Sequence, residues 1–440
     1  MSEPENNWNA VTGWEREVDI NSPAPTIQTH GRSQSGMVVS LDKAGGVNVN
    51  NNKPPYQVPA MEEIAAVPWN GYNVVSTFSG AGGSCLGYRM AGYHVLWASE
   101  FIPAAQEVYK LNHPDSILDT RDIRAVQPQD ILDTLGLNVG DIDILDGSPP
   151  CASFSTAGKR EKGWGEVKTY SDTKQRVDDL FFEYARIVKG LQPRVFVAEN
   201  VSGLIKGKAK GYFKLILQAL KDCGYNVRAK VLDAQWLGVP QMRQRVIFIG
   251  VRNDLGLQAV YPKPLEYQYS VRDALPWIAK VDMGGRFGEV DSVSAANTAY
   301  MAVGTGPNSG NGLATMVEAE TDISRYAIGD EWEKMGKPGT QSAKYFQLTR
   351  APVNGPSGAI TQDLGHISAD GTASGATVTH PTEKRKFSIA ELKRICAFPD
   401  DFQLIGSYAQ QWERLGRAVP PVMMSYIAKT IQTEVLDKCK

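Results

Sequence analysis

Between residues 72 and 252, short apolar runs rich in β-branched residues alternate with segments of helical periodicity, and this alternation limits the possible fold more than any other feature. Val74-Val75-Ser76-Thr77, His94-Val95-Leu96-Trp97, Ile142-Asp143-Ile144-Leu145, Val195-Phe196-Val197-Ala198 and the run from Val246 to Ile249 read as strands. Leu180, Phe181, Tyr184, Ile187 and Val188 make one apolar stripe of a helix over 178–189. Phe213, Ile216, Leu217 and Leu220 make another over 212–223, with Gly224 as its cap. Such alternation builds an α/β fold, a mostly parallel sheet with helices on both faces. Sheets of this kind bind ligands at the carboxyl ends of their strands.

Those strand ends carry the reactive residue types. The first strand opens into Phe78-Ser79-Gly80-Ala81-Gly82-Gly83, where glycines let a ligand approach the backbone and the following helix start offers free N–H groups. By itself this turn is shared by nucleotide-, flavin- and adenosyl-binding folds. The second strand ends at Glu100, where doubly wound folds bind ribose hydroxyls, although a surface glutamate is the plain alternative. The third runs into Gly147-Ser148-Pro149-Pro150-Cys151. A lone cysteine is more often a buried thiol, but a Gly-Ser-Pro-Pro lead makes a rigid, exposed turn suited to a nucleophile. The fourth ends in Glu199-Asn200-Val201, and Gln241-Met242-Arg243-Gln244-Arg245 precedes the fifth.

Taken with Glu391 to Phe402 and Gly416-Arg417-Ala418-Val419-Pro420-Pro421, these segments resemble the DNA (cytosine-5) methyltransferase family, with FSGAGG, SPPC, ENV and QMRQR in the family's order. The resemblance covers roughly residues 72–252 and 380–436. It implies a Rossmann-like, S-adenosylmethionine-dependent methyltransferase core with a smaller, loop-rich target-recognition domain. It implies cofactor contacts from Phe78, Ser79, Gly80, Ala81, Gly82, Gly83, Glu100, Phe101, Asp122, Ile123, Pro149, Arg417, Ala418 and Val419, with Asp122 also readable as a helix cap.

The chemistry the family performs fits the residue types. Cytosine C5 is not nucleophilic until a group adds to C6, which the Cys151 thiolate can do. Glu199 is the acid for N3 and the exocyclic amine, with Asn200 holding the loop. Arg243 and Arg245 pair with the base carbonyl, a phosphate or Glu199, and lower the thiol pKa; an ordinary salt bridge is the alternative for one of them. The base must leave the duplex stack, at a cost of a few kcal/mol. The glycine- and lysine-bearing segment 153–174 is long enough to close over DNA, hinged at Gly158, Gly163 and Gly165.

Composition sets the bounds. At 440 residues, 42% of them hydrophobic, two lobes plus an appendage are expected. The expected divisions are an extended or partly disordered arm over 1–70, a catalytic and cofactor-binding domain over 71–252, a target-recognition domain over 253–385 and a returning C-terminal segment over 386–440. Trp277, Phe287, Trp332, Tyr345 and Phe346 are placed to seed a small second core. Five cysteines without CxxC spacing suggest neither a zinc site nor a disulfide framework, so no metal is expected. The polar start and the absence of a long apolar run point to a cytoplasmic protein, away from membranes, and a monomer is expected. Net charge is −2, yet residues 151–265 hold twenty Lys and Arg against ten acids, a surplus that suits double-stranded DNA as partner.

Two positions depart from the family pattern. Ala152 stands where Gln is usual after the nucleophile, and Arg417 where Asn is usual beside the cofactor's methionine end. Arg417 has three readings: a pair with a phosphate or protein carboxylate; recognition of the carboxylate of carboxy-S-adenosylmethionine, giving 5-carboxymethylcytosine; or impairment, leaving an inactive DNA-binding scaffold. A tRNA cytosine methyltransferase is a further alternative, disfavoured by the long 253–385 insert.

Overall fold

The computed structural model describes residues 15–17, 53–150, 167–170, 173–176, 179–205, 209–278, 321, 323, 327–345, 348–362, 364, 366–367, 373–374 and 377–439. Its centre is an eight-stranded sheet. In chain order the strands are β1 (Glu15–Glu17), β2 (Asn73–Thr77), β3 (His94–Ser99), β4 (Ile117–Asp119), β5 (Ile144–Gly147), and, after a separate hairpin of β6 (Val167–Tyr170) and β7 (Thr173–Arg176), β8 (Val195–Val201), β9 (Tyr225–Asp233) and β10 (Gln244–Arg252). The order across the sheet is β1-β9-β10-β8-β5-β2-β3-β4. Strands β8, β5, β2, β3 and β4 run parallel, and β10 is antiparallel to both β8 and β9.

Parallel strands covered on both faces are built mainly from apolar residues. In β8, Val195, Phe196, Val197 and Ala198 are all buried, the alternate residues facing two different cores. Helices α1 (Met61–Ala65), α2 (Gly83–Met90), α3 (Pro103–Asn112), α4 (Pro128–Leu135), α5 (Leu180–Leu191) and α6 (Ala209–Asp222) follow in sequence. The stripe expected over 178–189 becomes α5, whose Leu180, Phe181, Tyr184, Ile187 and Val188 are buried with Phe213 and Leu220 of α6. On the opposite face Met423, Met424, Ile427 and Ile431 of the C-terminal helix Pro421–Glu434 pack with Tyr88, Val74 and Ile249. The chain's late segment thus completes the core begun by its early strands.

The second lobe is partly described. Val271, Ala274, Ala351, Val353 and Ile360 share a core with Phe387, Leu392, Ile395 and Trp412, so this segment is packed onto the C-terminal one. A small core of Ile323, Ile328, Trp332, Met335, Tyr345 and Leu348 lies within it. Of the aromatic residues expected to seed it, Trp332 and Tyr345 do so, Trp277 packs on the larger core instead, and Phe287 and Phe346 lie outside the described residues.

The end of the arm is more ordered than an extended segment. Residues 53–70 include α1, with Ile64 buried, Tyr56 Oη donating to the Arg394 carbonyl at 2.6 Å, and Lys53 paired with Asp273 at 2.5 Å. Burying Tyr56 and Ile64 against the C-terminal segment supplies apolar contact that the polar composition farther upstream does not. Among the described residues no helix is long and apolar enough to cross a membrane.

Candidate active site

The glycine loop begins with a backbone inversion. Phe78, at the end of β2, has φ of 54°, a left-handed conformation costly for a side-chain-bearing residue, and Gly80 and Gly82 follow with φ of 58° and 87°. Ser79 N–H donates to the Ser99 carbonyl at 2.9 Å, and Gly82 N–H closes the turn on the Ser79 carbonyl, also at 2.9 Å. A Cβ on Gly80 would meet nothing within 4 Å, so the space over the loop is open; one on Gly82 would overlap the buried ring of His113. A Cβ on Gly83 would come within 2.5 Å of the Val419 carbonyl oxygen and 3.2 Å of the Ala418 Cβ. The loop and residues 418–419 therefore form adjoining walls.

Glu100 sits between the ends of β3 and this loop. One carboxylate oxygen accepts Gly80 N–H at 2.8 Å and the other accepts Ile102 N–H at 2.6 Å. Burial raises its pKa; the two N–H groups and the charges of Arg414 and Arg417 act in the opposite direction. Each oxygen keeps a lone pair for a ribose hydroxyl. An open glycine cradle beside a held carboxylate fits an adenosyl group. Phe101 is half-buried and Ile123 buried. Asp122 caps the short turn Ile123–Ala125, accepting Arg124 N–H at 3.0 Å, and pairs with the Arg124 guanidinium at 2.9 Å.

On the other side of β2, the ends of β5 and β8 lie in parallel register, Gly147 opposite Ala198. Tyr184 Oη donates to the carbonyls of Leu145 and Val197, tying the two strands, and its ring leaves no room for a Cβ at Gly147. Asn200 Nδ2 donates to the Pro149 carbonyl at 3.1 Å, holding the proline loop against the end of β8. The Glu199 carboxylate pairs with Arg245 Nε at 2.7 Å. Burial raises the Glu199 pKa against the pull of Arg245 and Arg243. Cys151 and most of segment 153–174 lie outside the described residues, apart from the backbone of β6 and the start of β7.

A family model for C-5 cytosine-specific DNA methylases matches residues 72–433. The chain belongs to the C-5 cytosine-specific DNA methylase family. Its relatives include the type II methyltransferase M.PspPI of a Psychrobacter species, 31% identical over 84% of this chain and 81% of the relative, and M.DdeI of Desulfomicrobium norvegicum, 30% identical over 82% and 88%. In fold it is similar to a chain described as a prophage-encoded DNA modification methyltransferase of E. coli, with TM-score 0.59, 22% identity and coverage of 83% of this chain and all of the other. It is also similar to Spodoptera frugiperda DNMT2, with TM-score 0.52 and 18% identity over 84% of this chain and 99% of the other.

Within this methylase the two arginines of QMRQR are separated, where sequence grouped them. Arg243 is 1% exposed and does not pair with Glu199; it donates to the carbonyls of Ile360 at 2.7 Å, Gly416 at 2.9 Å and Ala418 at 3.0 Å. The reason is tertiary: Arg243 precedes β10, where the 360 and 416–418 segments present carbonyls that a buried guanidinium must satisfy. Arg245 alone reaches Glu199. Arg417, half-buried at the end of helix Tyr408–Arg417, pairs with Glu413 one turn earlier at 2.7 Å. Sequence reasoning passed over Asp146, His113 and Glu413, and read Tyr184 only as part of an apolar stripe. Of the three passed over, only Asp146 gave a signal, an acid set inside an apolar strand.

Proposed function

We propose that this DNA cytosine methyltransferase transfers a methyl group from S-adenosylmethionine to C5 of a flipped-out cytosine, in a specific duplex sequence, through a covalent bond between Cys151 Sγ and C6. Phe78 to Gly83, Glu100, Pro149 and residues 417–419 hold the cofactor, which supplies an electrophilic methyl on a sulfonium. The Cys151 thiolate adds to C6 while Glu199 donates a hydrogen bond or proton at N3, so that electron density builds at C5. Once C5 carries the methyl group, its proton leaves to water, any proton given to N3 returns to Glu199, and the Sγ–C6 bond breaks, restoring thiolate and aromatic base. The observation that carries this reading is Glu199 itself, a buried carboxyl with a raised pKa, oriented by Arg245 at 2.7 Å beside the strand that leads to Cys151. A carboxyl that holds its proton more tightly than a free glutamic acid is suited to protonation at N3.

The finer parts of the reading follow from chain organisation. Residues 253–385 read the sequence of the duplex, segment 153–174 closes over DNA, and the protein works as a monomer alongside a restriction partner of the kind its type II relatives imply. Pairing of Arg417 with Glu413 supports methyl over carboxymethyl transfer, because the guanidinium is already met by a carboxylate of the protein. The test is mass spectrometry of nucleosides from DNA incubated with the protein and each cofactor, with Cys151→Ala as control. 5-Methylcytosine from wild type alone supports the reading. A heavier, acidic cytosine, product in tRNA only, or no trapped adduct with 5-fluorocytosine DNA would point in turn to the carboxymethyl, tRNA or scaffold alternative.

A further inference from the structure

Asp146, on β5, has no part in the mechanism above, yet it is the most unusual buried group near the site. Its carboxylate is 2% exposed. One oxygen accepts Ser84 Oγ at 2.8 Å and Ser76 Oγ at 3.1 Å; the other accepts Tyr88 Oη at 3.3 Å. Ser76 lies on β2, and Ser84 in the first turn of α2, directly after the glycine loop. Ser79 Oγ, within the loop, donates to Ser76 Oγ at 3.0 Å, so a chain of hydroxyls runs from loop to carboxylate. The other titratable groups facing Asp146 are Tyr88 and Cys85 from α2, Tyr184 from α5 and Glu199 from β8, none of them cationic at neutral pH. Among the described residues Asp146 has no ion-pair partner, and a buried carboxylate without one is costly to ionise.

We propose that Asp146 is the buried counter-charge of the cofactor site, a specificity-determining residue that favours a cationic sulfonium ligand over its neutral thioether product. The inference rests on S-adenosylmethionine being the cofactor. The carboxylate lies under the glycine loop in low-dielectric surroundings, where a ligand cation is the charge it lacks. Loss of the methyl group removes that cation, so the same residue that tightens the reactant loosens the product. Ionisation of Asp146 is then linked to binding. Burial pushes its pKa up to about 7, with the Ser84, Ser76 and Tyr88 hydrogen bonds opposing and Glu199 adding to the rise. On that value about a tenth of the protein is ionised at Asp146 at pH 6 and about nine-tenths at pH 8.

The test is calorimetric binding of S-adenosylmethionine and S-adenosylhomocysteine from pH 6 to pH 8, by wild type, Asp146→Asn and Ser84→Ala. For wild type the affinity ratio of the two ligands should rise up to about tenfold across this range. Binding of the cation at pH 7 should release a proton, read as heat that depends on the buffer's own ionisation. Asp146→Asn should flatten the ratio and abolish the release, with Glu100 and Glu199 left in place. Ser84→Ala keeps the carboxylate but removes its shortest hydrogen bond, and should move the midpoint to higher pH. A flat ratio in wild type, or an unchanged pH curve in either folded variant, overturns the proposal. Failure of wild type to bind either ligand at any pH overturns the cofactor assignment as well, a result distinct from the others.

Discussion

In the half of the strand-end edge proposed to hold the cofactor, position is set by backbone: Gly80 and Ile102 N–H groups fix Glu100, a left-handed Phe78 turns the loop, and glycines let residues 418–419 and His113 approach to contact. In the half proposed to carry the nucleophile it is set by side chains: Asn200 on Pro149, Arg245 on Glu199, Tyr184 across two strands. The difference separates two tasks. A bound cofactor needs a fixed shape, which backbone geometry supplies at little cost in side-chain entropy. A reacting base needs groups whose charge changes during the reaction, and only side chains titrate.

Substitutions on the two sides should therefore fail differently. The largest effect belongs to Cys151→Ala, expected to lower methyl transfer by about 10⁴-fold or more while cofactor affinity measured by calorimetry stays within about twofold. Full activity in that variant would remove the nucleophile assignment. Glu199→Gln should cost about 10²–10³-fold in kcat, read in single-turnover assays, with cofactor affinity again retained. Because the pKa of Glu199 is raised, activity that depends on its protonated form should persist below that pKa and fall as pH rises through it. Arg245→Gln removes a charge that holds the pKa down, so the falling limb should move to higher pH.

Changes to the cofactor half should register first in binding and stability. Gly82→Ala meets both a left-handed φ and the His113 ring, and should weaken cofactor binding at least about tenfold with about 1–3 kcal/mol of destabilisation in urea. Gly80→Ala meets only the φ penalty and should cost about 1 kcal/mol. Equal losses in the two variants would show that space around the loop does not matter. The smallest effect is expected of Arg417→Asn, where loss of a partly exposed pair should leave cofactor preference unchanged in competition binding.

The parts of this arrangement legible in the sequence are those encoded by local pattern. Apolar runs ending in Gly80, Glu100, Pro149 and Glu199 gave the parallel strands and the shared edge, because strand periodicity and turn chemistry act over a few residues. Helix α5 appeared within two residues of its expected start for the same reason. What sequence could not separate was Arg243 from Arg245. Their division depends on carbonyls of Ile360, Gly416 and Ala418, more than a hundred residues away, and nothing local encodes which guanidinium meets them. The order in residues 53–70 was missed likewise, since it arises from docking of Tyr56 and Ile64 on a surface made by the other end of the chain.

The close approach of the glycine loop to the C-terminal segment also has a bearing on biosynthesis. Gly87 leaves no room for a Cβ because the Pro421 carbonyl and the Met424 side chain occupy the space, and Val419 does the same at Gly83. The loop thus leaves the ribosome more than three hundred residues before the segment that walls it. A nascent chain stalled before the helix Pro421–Glu434 emerges holds its glycine loop against water instead of protein. Cofactor capture during translation should accordingly be abrupt, appearing only when that helix docks.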